Sequence, residues 1–379
     1  MDDRANARSS ERLGFIEGLR GLAALYVVAQ HICTMVDPRF LLMRKGAEPA
    51  WLASVMAPFW YGHFAVSAFI VLSGFCLQMS LYTSGTGQLR DLRRFLKRRC
   101  WRILPPYYAC LALSLITVHF VTSKHSGPPW NQYIPVTGEN LAAHILMIHN
   151  FSREWMYKIN GVLWSISIEF QLYFLFPALC LALWRFGSRS VVPLTALTVA
   201  SALSVYDSAD KLYVWYFGLF VLGMAGARWA FDRRLPKVPT GPMTALAVFA
   251  LAAAIMSIGW TKQLAVRDSL MGIAIVSVLV AGSTKPDMAW VRFLGARPLV
   301  WLGTFSYSLY LVHHPVLQWL THLKPESIAT TTRLFAYLVA CLPIVLACCY
   351  LFYRVFEKPF IAWGKSTKSG FSKIPDQVS

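Results

Sequence analysis

Ten apolar stretches, each long enough or nearly long enough to cross a bilayer, constrain this chain more than anything else in it. They fall at about 15–36, 60–82, 103–122, 162–184, 190–206, 212–230, 241–260, 269–284, 300–320 and 332–353. A helix needs roughly 20 residues to span hydrocarbon. Backbone groups find no water there, so only helices or a closed barrel are viable. The runs are continuous rather than alternating, which argues against a barrel. The expected fold class is an all-α polytopic membrane protein, a bundle of about ten transmembrane helices.

The net charge of +18 invites a nucleic-acid reading. Its distribution points elsewhere. With the N-terminus in the cytoplasm, 25 of the 36 Lys and Arg side chains sort to the cytoplasmic side. That is the positive-inside bias of a membrane protein, so no nucleic-acid partner is expected. Both termini are expected to be cytoplasmic. The eight cysteines fall in or beside the apolar runs without a CxxC spacing, so neither a disulfide framework nor a metal site is expected. Met1–Arg12 mixes acids and bases, and no small-residue cleavage site follows. The first run reads as an uncleaved span.

That first run, Phe15–Val36, holds Arg20 and His31 eleven residues apart. Eleven residues make about three helical turns, so both project from one face, roughly 16 Å apart along the axis. Ionisable side chains inside a span are costly and mark function by default. The most basic loop carries Arg99 and Arg102 at i, i+3, immediately before the third span. It is either a topology anchor on lipid phosphates or a grip on a cytosolic anion, for which the guanidinium fork is suited. Glu169 lies well inside the fourth span with Tyr173 one turn on. It is either a counter-ion for the arginines or the group that orients a catalytic base. Ser306, Tyr310 and His313 fall at i, i+4 and i+7 in the ninth span, a polar stripe facing an interior cavity, with Tyr307 and His314 beside it.

The remaining segments read more plainly. Ser73-Gly74 in the second span permits close helix approach. The outer segment 123–160, with Trp130, Asn131 and Tyr133, suits either sugar contacts or the headgroup zone. Within it, 141–151 is too short to span and suggests a re-entrant or interfacial helix carrying His144 and His149. Spans five to eight, nearly free of interior ionisable residues, read as lipid-facing scaffold. Arg354, Glu357 and Lys358 read as an ion-paired helix end, and 363–379 as a cytoplasmic tail after a 1–362 transmembrane domain.

Together these segments resemble the membrane acyltransferase-3 family over about 13–362. The resemblance rests on Arg20-x10-His31, on Arg99-x-x-Arg102 and on the LSGF element at Leu72–Phe75. It rests further on Trp164, Ser165, Glu169 and Tyr173 as WS-x-x-x-E-x-x-x-Y, on SYSLYL-x-H at Ser306–Leu311 and His313, and on E-K-P at Glu357–Pro359. Ser67 and Phe170 stand where many relatives carry acids, and no role is assigned to either. The resemblance implies a stand-alone carbohydrate O-acetyltransferase of a cell membrane, most readily the bacterial inner membrane, without the hydrolase-like SGNH domain fused in some relatives. It implies a cytosolic acyl-CoA donor, acetyl-CoA first, and a hydroxyl acceptor on a polysaccharide or lipid-linked saccharide. Acyl-CoA is a substrate here, and no bound cofactor is expected. Arg20, Arg99 and Arg102 would take the donor phosphates. His31 would act as general base, with Glu169 or Tyr173 fixing its tautomer and Tyr310, Ser306 or His313 stabilising the oxyanion. An acetyl-His intermediate is the other chemical route. The competing reading is a carrier or flippase for a lipid-linked sugar, which would predict paired repeats around a midplane site.

Overall fold

In a computed structural model, the described residues are 2–36, 57–85, 88–186, 195, 199, 213–261, 263–323 and 330–366, with side chains described from Gly14 onward and not at 330, 331, 335, 365 and 366. They form helices and connecting turns. The main helices are α1 (Asp2–Val36), α2 (His63–Thr83), α3 (Leu92–Phe120), α4 (Gly138–Ile145), α5 (Leu163–Phe186), α6 (Trp215–Phe231), α7 (Thr240–Trp260), α8 (Leu264–Thr284), α9 (Arg297–Thr304) and α10 (Ser306–His322). The chain closes with α11 (Thr330–Ala336), α12 (Leu342–Phe352) and α13 (Lys358–Ser366), joined by π turns at Tyr337–Cys341 and Tyr353–Glu357. Among the described residues, six helical runs are long and apolar enough to cross a membrane. The protein is an all-α, multi-pass membrane protein. The expected fifth span, 190–206, lies almost wholly outside the described residues. Helices α6 and α10, at 17 residues each, match the sixth and ninth expected spans but are shorter than the six.

Small residues bring the helices together, as expected where lipid removes the hydrophobic drive between them. A Cβ on Gly74 would overlap the Phe220 carbonyl, and one on Gly223 would overlap that of Val71, so α2 and α6 pack backbone to backbone. Gly303 of α9 rests in the same way on the backbone of Glu17 in α1. That contact sets the start of α10 beside the arginine end of α1. Helix α7 buries only Ala247, Ala250, Ala254 and Ser257, one narrow stripe against α8, while Val248, Phe249, Ile255 and Met256 face outward. The apolar side is the exposed one, the inverse of a water-soluble helix.

Helix α3 starts on an Asp91 cap, whose carboxylate accepts the Arg94 N–H at 2.8 Å. Its 29 residues extend about 43 Å, longer than hydrocarbon is thick, so its basic first turns project beyond the membrane. Pro315 inside α10 has no N–H for the Leu311 carbonyl. That carbonyl accepts instead from Cys110 Sγ at 3.2 Å and Asn160 Nδ2 at 3.4 Å, which ties α10 to α3 and to the turn before α5.

The outer segment is neither a sugar platform nor a headgroup belt at its central aromatics. Trp130 stacks on His125 at 4.4 Å, and Tyr133 is buried with its hydroxyl 2.8 Å from His314 Nε2. Helix α4 is eight residues long and starts on a Thr137–Asn140 capping box. His144 and His149 are buried and stacked at 3.8 Å. Burial away from water pushes both imidazoles below their ordinary pKa, His149 to about 2, so they are neutral packing groups.

Candidate active site

Two helices bring the histidines together, and each delivers its residues by simple periodicity. Helix α1 presents Arg20 and His31, and α10 presents Ser306, Tyr310 and His313 on one stripe. They meet at the far end, where His313 Nε2 lies 3.2 Å from His31 Nδ1, with ring centroids 4.9 Å apart. The hydrogen bonds fix both tautomers. His313 Nδ1 sits 2.8 Å from the Leu309 carbonyl, which can only accept, so Nδ1 carries the proton and Nε2 is a lone pair. His31 Nδ1 lies between that lone pair and the Val27 carbonyl at 3.0 Å, so it too carries a proton. His31 Nε2 is left as a basic lone pair without a partner among the described residues.

This corrects one expectation. Glu169 and Tyr173 do not orient His31; Val27 and His313 do. The Glu169 Oε1 accepts from the Tyr173 hydroxyl at 2.5 Å and from Ser73 at 2.8 Å. It forms no ion pair with Arg20, Arg99 or Arg102 among the described residues. The arginines are held differently: Arg20 pairs with Glu17 at 3.3 Å, and the Arg99 guanidinium lies over the Tyr173 ring at 5.7 Å and the Phe95 ring at 5.6 Å.

Six of the eight predicted site residues line one cavity of about 230 Å³: Arg20, Arg99, Arg102, Glu169, Tyr173 and Tyr310. Ser73, Ser165 and Ser306 share its wall. Three guanidinium groups face two carboxylates, those of Glu17 and Glu169, so the lining favours an anion. His31 and His313 do not line it. They stand beyond Tyr310, whose ring is 6.2 Å from that of His313 and whose hydroxyl is 2.7 Å from Ser165 Oγ. His314 closes the group, edge-on to His31 at 5.2 Å and tied to Tyr133.

Sequence reasoning missed three features. Ser73, read only as a packing residue, is the partner of Glu169; a hydroxyl in the LSGF element, in the middle of α2, was the available signal. Glu357 is not an ion-paired helix end. It is 2% exposed and accepts from the Ser308 hydroxyl at 2.5 Å and the Ser308 N–H at 3.2 Å, while Arg354 turns to Tyr350. A carboxylate thereby caps the start of α10 from 49 residues away. Spans five to eight also hide a polar centre. Helix α8 begins at Leu264, not 269, which brings Arg267 and Asp268 inside it, 7% and 0% exposed. Asp268 Oδ2 accepts from Trp215 Nε1 at 2.9 Å and lies 3.9 Å from His63 Nδ1. Arg267 covers the Tyr61 ring and donates to the Ile258 and Thr261 carbonyls, ending α7.

A family model described as an acyltransferase domain, Acyl_transf_3, matches residues 13–354. The peptidoglycan O-acetyltransferase OatA of Listeria monocytogenes is 24% identical over 349 residues, covering 83% of this chain and 51% of that protein. The putative peptidoglycan O-acetyltransferase YrhL of Bacillus subtilis is 25% identical over 342 residues, covering 80% and 51%. The O-acetyltransferase OatA of Staphylococcus aureus is 24% identical over 338 residues, covering 80% and 50%. This chain thus spans about half the length of these relatives. No solved structure matches it. With a family match running from within α1 to the π turn after α12, over the residues that build the cavity and the histidine pair, the chain belongs to the acyltransferase-3 family.

Proposed function

We propose that this chain is a membrane O-acetyltransferase that moves an acetyl group from cytosolic acyl-CoA to a hydroxyl of a cell-surface or exported carbohydrate. The observation that carries the reading is the path: a cavity with three arginines at one end and Tyr310 at the other, adjoining a His31 whose Nε2 is a free base. Two relatives are named for peptidoglycan, so cell-wall glycan is the first acceptor to test. Six apolar runs with α1, α6 and α10 make nine spans, and the apolar stretch 190–206, read from the sequence, makes the tenth; the charge bias supports this ten-span arrangement with both termini cytoplasmic. That topology puts Arg20 inside and His31 toward the acceptor side.

In this mechanism the donor phosphates rest on Arg20, Arg99 and Arg102 and the thioester extends toward Tyr310. His31 Nε2 takes the proton of the acceptor hydroxyl as its oxygen attacks the thioester carbon. The Nδ1–H stays bonded to His313 Nε2 and Val27, which stabilises the imidazolium as it forms. The Ser165 hydroxyl donates to the Val162 carbonyl, and the Tyr310 hydroxyl, 2.7 Å from Ser165 Oγ, turns its proton from that oxygen to the developing oxyanion. Collapse breaks the carbon–sulfur bond, the thiolate takes the proton from His31, and the ester and CoA thiol leave. Membranes holding the protein, incubated with labelled acetyl-CoA, should place alkali-labile label on glycan, and His31→Ala at equal abundance should place none. Label transfer by His31→Ala at the wild-type rate would sink the proposal.

A further inference from the structure

We infer that the start of α10 is a binding seat for the amide carbonyls of the donor's pantetheine arm, with Ser306 as its side-chain contact. The inference rests on the acyl-CoA reading above. The first N–H groups of a helix have no acceptor within it and carry the positive end of the dipole. Here the Ser308 N–H is taken by Glu357, which leaves those of Ser306 and Tyr307. A second observation points the same way. Ser306 is 1% exposed and lines the cavity, yet its Oγ has no hydrogen-bond partner. A buried hydroxyl left unpaired is costly, and a ligand acceptor removes that cost.

Position along the helix says which ligand group arrives. Ser306 is seven residues before His313, roughly 10 Å along the axis, whereas Arg20 is roughly 16 Å from His31. Ser306 therefore lies too far from the histidine pair to meet the reacting carbonyl; Tyr310, one turn from His313, is the group at that level. It also lies outward of the arginines, short of the phosphates. Between thioester and phosphate a CoA donor has a slender arm with two amides. The carbonyls of these amides are hydrogen-bond acceptors, matched to a hydroxyl and two backbone N–H groups. A cavity of about 230 Å³ admits such an arm, with the phosphates at its arginine end and the adenosine outside.

The test is donor kinetics in membranes carrying the full chain. Ser306→Ala should raise the KM for acetyl-CoA about three- to tenfold, the worth of one neutral hydrogen bond, with kcat within about twofold; Ser306→Thr should restore KM. A fall in kcat at unchanged KM would assign Ser306 to the oxyanion and overturn the inference, as would an unchanged KM. If Ser306→Ala does not reach the membrane, inhibition of the wild type decides. Pantetheine should compete with acetyl-CoA at least about tenfold better than N-acetylcysteamine, which lacks the second amide; equal inhibition overturns the seat. A wild type that takes no label from acetyl-CoA overturns the donor reading itself, whereas normal wild-type transfer with an indifferent Ser306 overturns the seat alone.

Discussion

His313→Leu is the sharpest perturbation of the proposed chemistry. His313 is wholly buried and outside the arginine-lined cavity, and leucine approximates its volume. The substitution removes the lone pair 3.2 Å from His31 Nδ1 and leaves the Val27 carbonyl at 3.0 Å, so the His31 tautomer persists. What is lost is one hydrogen bond that strengthens when His31 becomes an imidazolium. A hydrogen bond to a charged group contributes about 1.5–3 kcal/mol, and each 1.36 kcal/mol is tenfold in rate. The expected result is a kcat about 10- to 100-fold lower at unchanged KM for the donor. His313→Gln, which keeps an acceptor, should recover part of it. The assay is initial-rate transfer from labelled acetyl-CoA, normalised to protein in the membrane. A leucine variant with wild-type kcat, or one whose loss lies entirely in KM, would refute the role given to this pair.

Two further substitutions test the framework rather than the chemistry. Glu357→Ala strands the Ser308 N–H and hydroxyl and should cost about 1–3 kcal/mol of stability, read as a lower thermal midpoint in detergent, while Glu357→Gln keeps most of it. If Gln is as damaging as Ala, charge rather than capping is the role. Asp268→Ala leaves the Trp215 indole N–H without its acceptor and should cost a similar amount, with transfer per folded molecule unchanged; a selective loss of transfer would move this centre into the reaction.

The division between what the chain made legible and what it concealed follows contact range. Arg20 with His31, and Ser306 with Tyr310 and His313, were readable because each set lies on one helix, where the 3.6-residue period dictates the face. The meeting of α1 with α10 was not readable, since it depends on the backbone contact of Gly303 on Glu17. Glu169 was visible as an acid in an apolar run, but its hydrogen-bond partner Ser73 is 96 residues away, and it faces Arg20 and Arg99 as a counter-charge across the cavity without pairing directly with them. Glu357 was hidden by the π turn Tyr353–Glu357, whose extra residue per turn rotates the carboxylate off the face an α-helix would give it. Asp268 was hidden by a boundary: starting the eighth span at 269 excluded the charges, although the helix keeps both by packing them against Trp215 and Tyr61.

The central claim is transfer across the bilayer, with the donor bound at the arginines and the acceptor engaged at His31. Inside-out vesicles with labelled acetyl-CoA supplied only to their outer, cytoplasmic face test it directly. The account predicts ester-linked label on glycan enclosed within the vesicles, with the CoA thiol released outside and no free acetyl-CoA accumulating in the lumen. Label confined to acceptors on the outer face, or lumenal labelling that requires acetyl-CoA inside, would contradict it.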